Sequence, residues 1–159
     1  MAQVTIYTDG SALGNPGAGG YGVVLMSGVH RKELSQGYVL TTNNRMELLA
    51  VIRGLEALKK EGCDVTIYSD SKYVVDAVEK GWIWNWVRTG FKDKKNSDLW
   101  RAFIPLYRAH HVKFVWIKGH NDNKENERCD RLAVAAASSK DLLVDEGYRK
   151  NNEVELVIE

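Results

Sequence analysis

Residues 4–9 (VTIYTD) and 65–70 (VTIYSD) nearly repeat each other, and each places an aspartate where the pattern stops, at Gly10 and at Ser71. Alternating β-branched and aromatic residues make both hexapeptides strands. Between them Leu48, Val51, Ile52, Leu55 and Leu58 recur at helical spacing behind a capping cluster, Thr41-Thr42-Asn43-Asn44, so a helix is expected to run to Gly62. If the two strands lie side by side and parallel, Asp9 and Asp70 emerge at the same sheet edge, about 5 Å apart. Ligands of open α/β sheets bind at the carboxyl ends of strands. Two ionised carboxylates that close repel by about 3 kcal/mol at an effective dielectric constant of roughly 20, so the pair shares a proton or holds a cation. Either aspartate alone is equally an ordinary helix N-cap. Their paired occurrence favours a site.

The remaining elements extend this pair. Residues 10–20 read as a Gly-rich turn, and 21–27 and 31–38 as strands joined at Gly28, giving an antiparallel meander with the first strand. Residues 71–80 and 97–109 read as helices, 112–117 (VKFVWI) as a strand and 126–139 as an Ala-rich helix. Strands separated by helices are parallel neighbours with right-handed crossovers. The expected architecture is an α/β domain with a five-stranded mixed sheet, three antiparallel strands plus two parallel, flanked by helices.

The 159 residues suffice for one domain, 1–159, that buries a core without staples. Its stretch 141–159 is expected to be an acidic C-terminal tail. No run approaches the length of a membrane span, and the N-terminus enters a strand pattern at once, so neither a span nor a signal peptide is expected. Cys63 and Cys129 are too few for a disulfide framework. A reduced, cytoplasmic, monomeric protein follows as the expectation.

Other candidate groups each have a bland alternative. Glu47 falls three residues after Asn44 and can close a capping box. Asp130 sits near the start of the Ala-rich helix, where the helix dipole favours a carboxylate. His120, in the turn after the last long strand, can be merely solvated. Residues 17–22 satisfy G-x-G-x-x-G, but a strand follows where a dinucleotide site needs a helix. No phosphate loop, nucleophile elbow or zinc-finger spacing occurs.

Together, Asp9-Gly10-Ser11, Asn43-Asn44-Arg45-Met46-Glu47, Ser69-Asp70-Ser71, Lys118-Gly119-His120 and Asn126-Glu127-Arg128-Cys129-Asp130 resemble, in order, the type 1 ribonuclease H family, closest to its single-domain bacterial branch. The resemblance implies a ribonuclease H-like fold and hydrolysis of the RNA strand of RNA–DNA hybrids. It implies metal ligation by Asp9, Glu47, Asp70 and Asp130, with two Mg²⁺ or Mn²⁺ ions and a catalytic His120. It further implies 2′-hydroxyl contacts from Gly10, Ser11, Asn15, Asn43 and Asn44, a substrate contact at Ser71, and a DNA-strand phosphate held by Thr42 and Asn96. Leu40 stands where the family usually has an Arg of that phosphate pocket.

A net charge of +1 speaks at first against a nucleic-acid partner. Residues 80–101, however, carry six basic residues against two acids, while 141–159 carry six acids against two bases. The basic segment also holds four of the five tryptophans. Basic residues among aromatics suit a phosphate backbone. The family resemblance makes this a DNA-contacting handle built from Trp82, Trp86, Lys92, Lys94 and Lys95; as core packing, the tryptophans have an equally simple role. The handle is shorter than the bacterial pattern, with Val87 and Thr89 at commonly basic positions and Phe91 for a frequent Trp, so salt-sensitive, weaker hybrid binding is expected. A catalytically silent binding module is the main competing function, and it would need none of the four carboxylates.

Overall fold

The computed structural model describes residues 2–119 and 123–150. The chain runs β1 (Gln3–Ala12), β2 (Gly17–Ser27), β3 (His30–Thr41), α1 (Asn43–Glu56), β4 (Asp64–Ser69), α2 (Lys72–Glu79), α3 (Trp82–Arg88), α4 (Ser97–Arg108), β5 (His111–Trp116), α5 (Lys124–Ala137) and β6 (Leu142–Leu143). The sheet order is β5-β4-β1-β2-β3-β6. β1, β2 and β3 form the antiparallel meander, and β4 and β5 extend it in parallel.

The mixed α/β sheet is as expected except in its strand count. A sixth strand, two residues long, pairs parallel to β3 through Gly37–Leu142 and Tyr38–Leu143. Two leucines are too short a run to show alternation. The expected Gly-rich turn is also mostly strand: β1 continues to Ala12 and β2 begins at Gly17. The helix expected to reach Gly62 stops at Glu56. Apolar periodicity assigns no element to residues 82–88, where tryptophans alternate, yet they form the short helix α3 around a fully buried Ile83.

Successive residues of β2 face opposite sides of the sheet. Val23 meets α1 at Gly54, next to Ile6, while Gly22 lies under α5. A methyl group at Gly22 would overlap the carbonyl of Cys129, so glycine here lets the helix settle directly on the sheet. The larger core lies on the α1 side, where Ile6, Val23, Met46, Ile52 and Ile67 pack with Trp100, Phe103 and Phe114.

Arg45, 2% exposed, is a charged residue buried on this face. Its guanidinium donates two hydrogen bonds to Asp145, at 2.8 and 2.9 Å, and two to Asp98, at 2.9 and 2.7 Å. Thr41 donates to the same Asp145 carboxylate at 2.7 Å. Burial alone would raise the Asp98 carboxyl, but the Arg45 hydrogen bonds outweigh it and hold it below its ordinary value. Residues 141–150 are therefore no free tail: Asp145, 8% exposed, is the buried counter-ion that ties the segment after β6 to α1. Asp145→Ala leaves a buried guanidinium short of acceptors, and is expected to lower stability by about 3 kcal/mol in urea denaturation.

Candidate active site

The β1–β4 pairing ends at Thr8–Ser69. The next residues are Asp9 and Asp70, so the parallel register alone brings both side chains to one edge. Asp9 stays in β1, which carries on beside β2, whereas β4 stops. Neither aspartate is a helix cap: Ser71 caps α2, its hydroxyl oxygen accepting from Val74 N–H at 3.3 Å.

Glu47 reaches the same edge from α1. It closes no capping box, because the N-cap is Thr42. Its carboxylate instead accepts from Gly10 N–H, a short hydrogen bond, and Gly10 N–H also reaches Asp9 at 2.9 Å. One carboxylate oxygen from each of Asp9, Glu47 and Asp70 lies within 4.8 Å of the others. Asp9 and Glu47 are only 6% and 9% exposed. Asp130, on α5, lies outside this tight trio, though its charge acts on Asp9. His120 falls outside the described residues.

Burial raises the carboxyl of Asp9 to about 7, and repulsion from Asp70 and Asp130 adds to it. Glu47 is likewise raised, first by burial and then by the charge of Asp9. The trio offers hard oxygen donors and has no ion pair among the described residues; the buried guanidinium of Arg45 is turned to Asp98 and Asp145. A donor set of that kind fits a small divalent cation.

The rim carries most of the remaining sequence candidates. Ala12 N–H donates to Asn43 at 2.7 Å and Asn43 N–H to Asn15 at 3.2 Å, so the turn after β1 is fastened to the start of α1 with Ser11 beside it. Asn44 is exposed on the first turn of α1. Thr42 and Asn96 both bond to Arg45, at 3.3 and 3.4 Å. Ser71 is 8% exposed, and its hydroxyl oxygen caps α2.

In the basic segment, Trp86 packs edge-on against the core Trp100 with Lys94 over its face, and Trp82 is 45% exposed under Lys80. Lys92, Lys94 and Lys95 are exposed on a loop anchored by the buried Phe91. The sequence reading missed Trp116, whose indole N–H donates to the Asp70 carbonyl at 3.2 Å, and Gly119, which has room only for hydrogen beside the Asp70 carboxylate. It also missed Arg45 as a hub. The signal was present: Arg45 occupies the apolar stripe of α1 in step with Leu48, Ile52 and Leu55.

A family model described as RNase H matches residues 1–138. The chain belongs to the ribonuclease H family. Relatives named ribonuclease H from Syntrophus aciditrophicus (strain SB) and Desulforamulus reducens are 58% and 55% identical, covering 92% and 91% of this chain and 87% and 94% of their own lengths. Among solved structures, LC9-RNase H1, a type 1 RNase H with the type 2 active-site motif, superposes with a TM-score of 0.79 at 32% identity, covering 94% of this chain and 80% of that one. LC11-RNase H1 in complex with an RNA/DNA hybrid gives a TM-score of 0.61 at 29% identity, covering 84% and 96%.

The raised Asp9 carboxyl has a consequence in this ribonuclease H chain without metal. Between about pH 4, where an unfolded aspartate ionises, and about pH 7, the folded state keeps a proton that the unfolded state has lost. Metal-free stability therefore falls as pH rises through that window. Asp9→Asn escapes the loss, so in EDTA its melting temperature is expected to exceed that of the parent protein at pH 8 and to converge with it near pH 4. Coincident melting curves at pH 8 would show that the carboxylates do not strain the fold.

Proposed function

We propose that this chain is an endoribonuclease that hydrolyses the RNA strand of RNA–DNA hybrids with two Mg²⁺ ions, Mn²⁺ being an alternative, and leaves 5′-phosphate and 3′-hydroxyl ends. The observation that carries the reading is the convergence of Asp9, Glu47 and Asp70, with no ion pair to a basic side chain among the described residues, in a chain of the ribonuclease H family. A silent binding module would gain nothing from three mutually repelling acids, two of them buried.

Divalent ions bound there supply activation of a water and stabilisation of the leaving oxygen. Asp9, Glu47, Asp70 and Asp130 would hold the ions; the family resemblance assigns Asp9 to both, Glu47 and Asp70 to the leaving-group ion and Asp130 to the nucleophile ion. Gly10 N–H holds Asp9 and Glu47 in place, and Trp116 holds the backbone of Asp70. His120 is assigned proton transfer or product release by the family resemblance.

The fastened rim of Gly10, Ser11, Asn15, Asn43 and Asn44 is assigned the RNA 2′-hydroxyls, the group that distinguishes RNA from DNA locally. Thr42 and Asn96 are assigned a DNA-strand phosphate, and Trp82, Trp86, Lys92, Lys94 and Lys95 the handle. No helix among the described residues is long and apolar enough to cross a membrane. Both cysteines are free and buried, in keeping with a reducing, cytoplasmic setting, and a monomer is the assigned state.

A gel assay of a labelled hybrid with and without Mg²⁺ tests the activity. Metal-dependent cleavage of the RNA strand only is expected, and its loss in Asp9→Asn and Asp70→Asn with the fold retained; near-normal turnover by either variant would sink the assignment. Replacing Lys92, Lys94 and Lys95 together by Ala is expected to raise KM and flatten its salt dependence. An unchanged KM at every salt concentration would remove the handle from the binding surface.

A further inference from the structure

Asn96 stands at the foot of the basic loop with φ 64°, in the left-handed region. Its amide lies between two groups of fixed hydrogen-bond character. On one side Arg45 Nη1 is 3.4 Å from its oxygen. A guanidinium has only donors, so the amide oxygen and not the NH₂ must face it. The NH₂ therefore turns to Tyr73 and donates to its hydroxyl at 3.0 Å. The indole N–H of the fully buried Trp100, also a donor only, points at the same hydroxyl oxygen at 2.9 Å.

Tyr73 Oη thus accepts two hydrogen bonds from groups that cannot take its own proton. That proton has to point out of the cage, and among the described residues it has no acceptor. Asn96 keeps a second N–H beside it, from an atom 3.0 Å away. Thr42 Oγ1 accepts from Arg45 N–H at 3.3 Å and likewise retains its proton. An oxyanion is the ligand that such a set of outward donors suits.

We propose that the Tyr73 hydroxyl donates directly to the DNA-strand phosphate assigned above to Thr42 and Asn96; the inference rests on that reading. It supplies a neutral donor in a pocket where Leu40 brings no charge. Tyr73 lies on α2, the helix that follows Asp70, so the phosphate would be gripped from α1, α2 and the basic loop together.

The test compares hybrids in which single DNA-strand phosphates are replaced in turn by neutral methylphosphonates. In the parent enzyme one position is expected to raise KM markedly. Tyr73→Phe should raise KM on the unmodified hybrid about tenfold and shrink the penalty at that position. The penalty is a ratio within each variant, so a modest loss of stability does not distort it. A role confined to orienting Asn96 is separated by a double-mutant cycle with Asn96→Gly, which deletes the amide while tolerating the left-handed backbone. A direct donor makes Tyr73→Phe cost KM again in the Asn96→Gly background. No added cost there overturns the proposal while leaving the phosphate pocket in place, provided Thr42→Ala still shrinks the penalty. If no single phosphate matters in the parent enzyme, the pocket and the proposal both fall.

Discussion

The repulsion among Asp9, Glu47 and Asp70 is the constraint around which the molecule is arranged. Folding forces three carboxylate oxygens within 4.8 Å of one another, two of them on nearly buried residues. Their position follows from register: the last β1–β4 pair is Thr8–Ser69, and the following residue on each strand is the acid. The fold answers with backbone dipoles and not with charge. Gly10 N–H is shared between Asp9 and Glu47, a stabilisation too small to remove the strain, as the carboxyl of Asp9 at about 7 shows. A site neutralised by its own lysine or arginine would be more stable and would have no affinity left for a cation.

Arg45 makes that point by its orientation. It lies two residues before Glu47 on α1, and residues two apart on a helix point in different directions. Four hydrogen bonds to Asp98 and Asp145 consume the guanidinium and keep it from the metal-site acids. A buried ion pair of this sort contributes little net stability. What it contributes is direction: it holds α4 and the segment after β6 against the first turn of α1, and it fixes which way the Asn96 amide faces.

How legible this was depends on the length scale of the signal. The two strand-terminal aspartates and the helix between them could be read because period-2 and period-3.6 patterns persist over several residues there. The short elements could not. Leu142-Leu143 is no pattern by itself and becomes a strand only because β3 has a free edge. The alternating Trp82, Trp84 and Trp86 mimic a strand, yet tertiary packing of Trp84 on Tyr107 and Trp86 on Trp100 draws them into a helix. Ser71, a substrate contact by family resemblance, also caps α2, a role that its neighbours in sequence do not announce. Charge counting groups the acids of residues 141–150 but does not show that Asp145 is spent on an arginine a hundred positions earlier.

The first two turns of α1 join these themes. Thr42, assigned above to a phosphate, and Glu47, beside Asp9 and Asp70, stand on one helix start with Arg45 between them. Five residues of helix span about 7.5 Å along the axis, a length that packing in the core does not allow to vary. On the proposed reading, the separation between the phosphate that is gripped and the phosphate that is cut would therefore be set by a rigid element. Loops supply the groups on either side, Asn96 from the basic segment and Asn15 from the turn after β1, but each is tied back to α1 by a hydrogen bond. A duplex whose two strands do not present phosphates at that spacing can satisfy one site or the other, not both. Discrimination between hybrid and other duplexes is thus expected to reside partly in the geometry of α1, in addition to any contact with a 2′-hydroxyl.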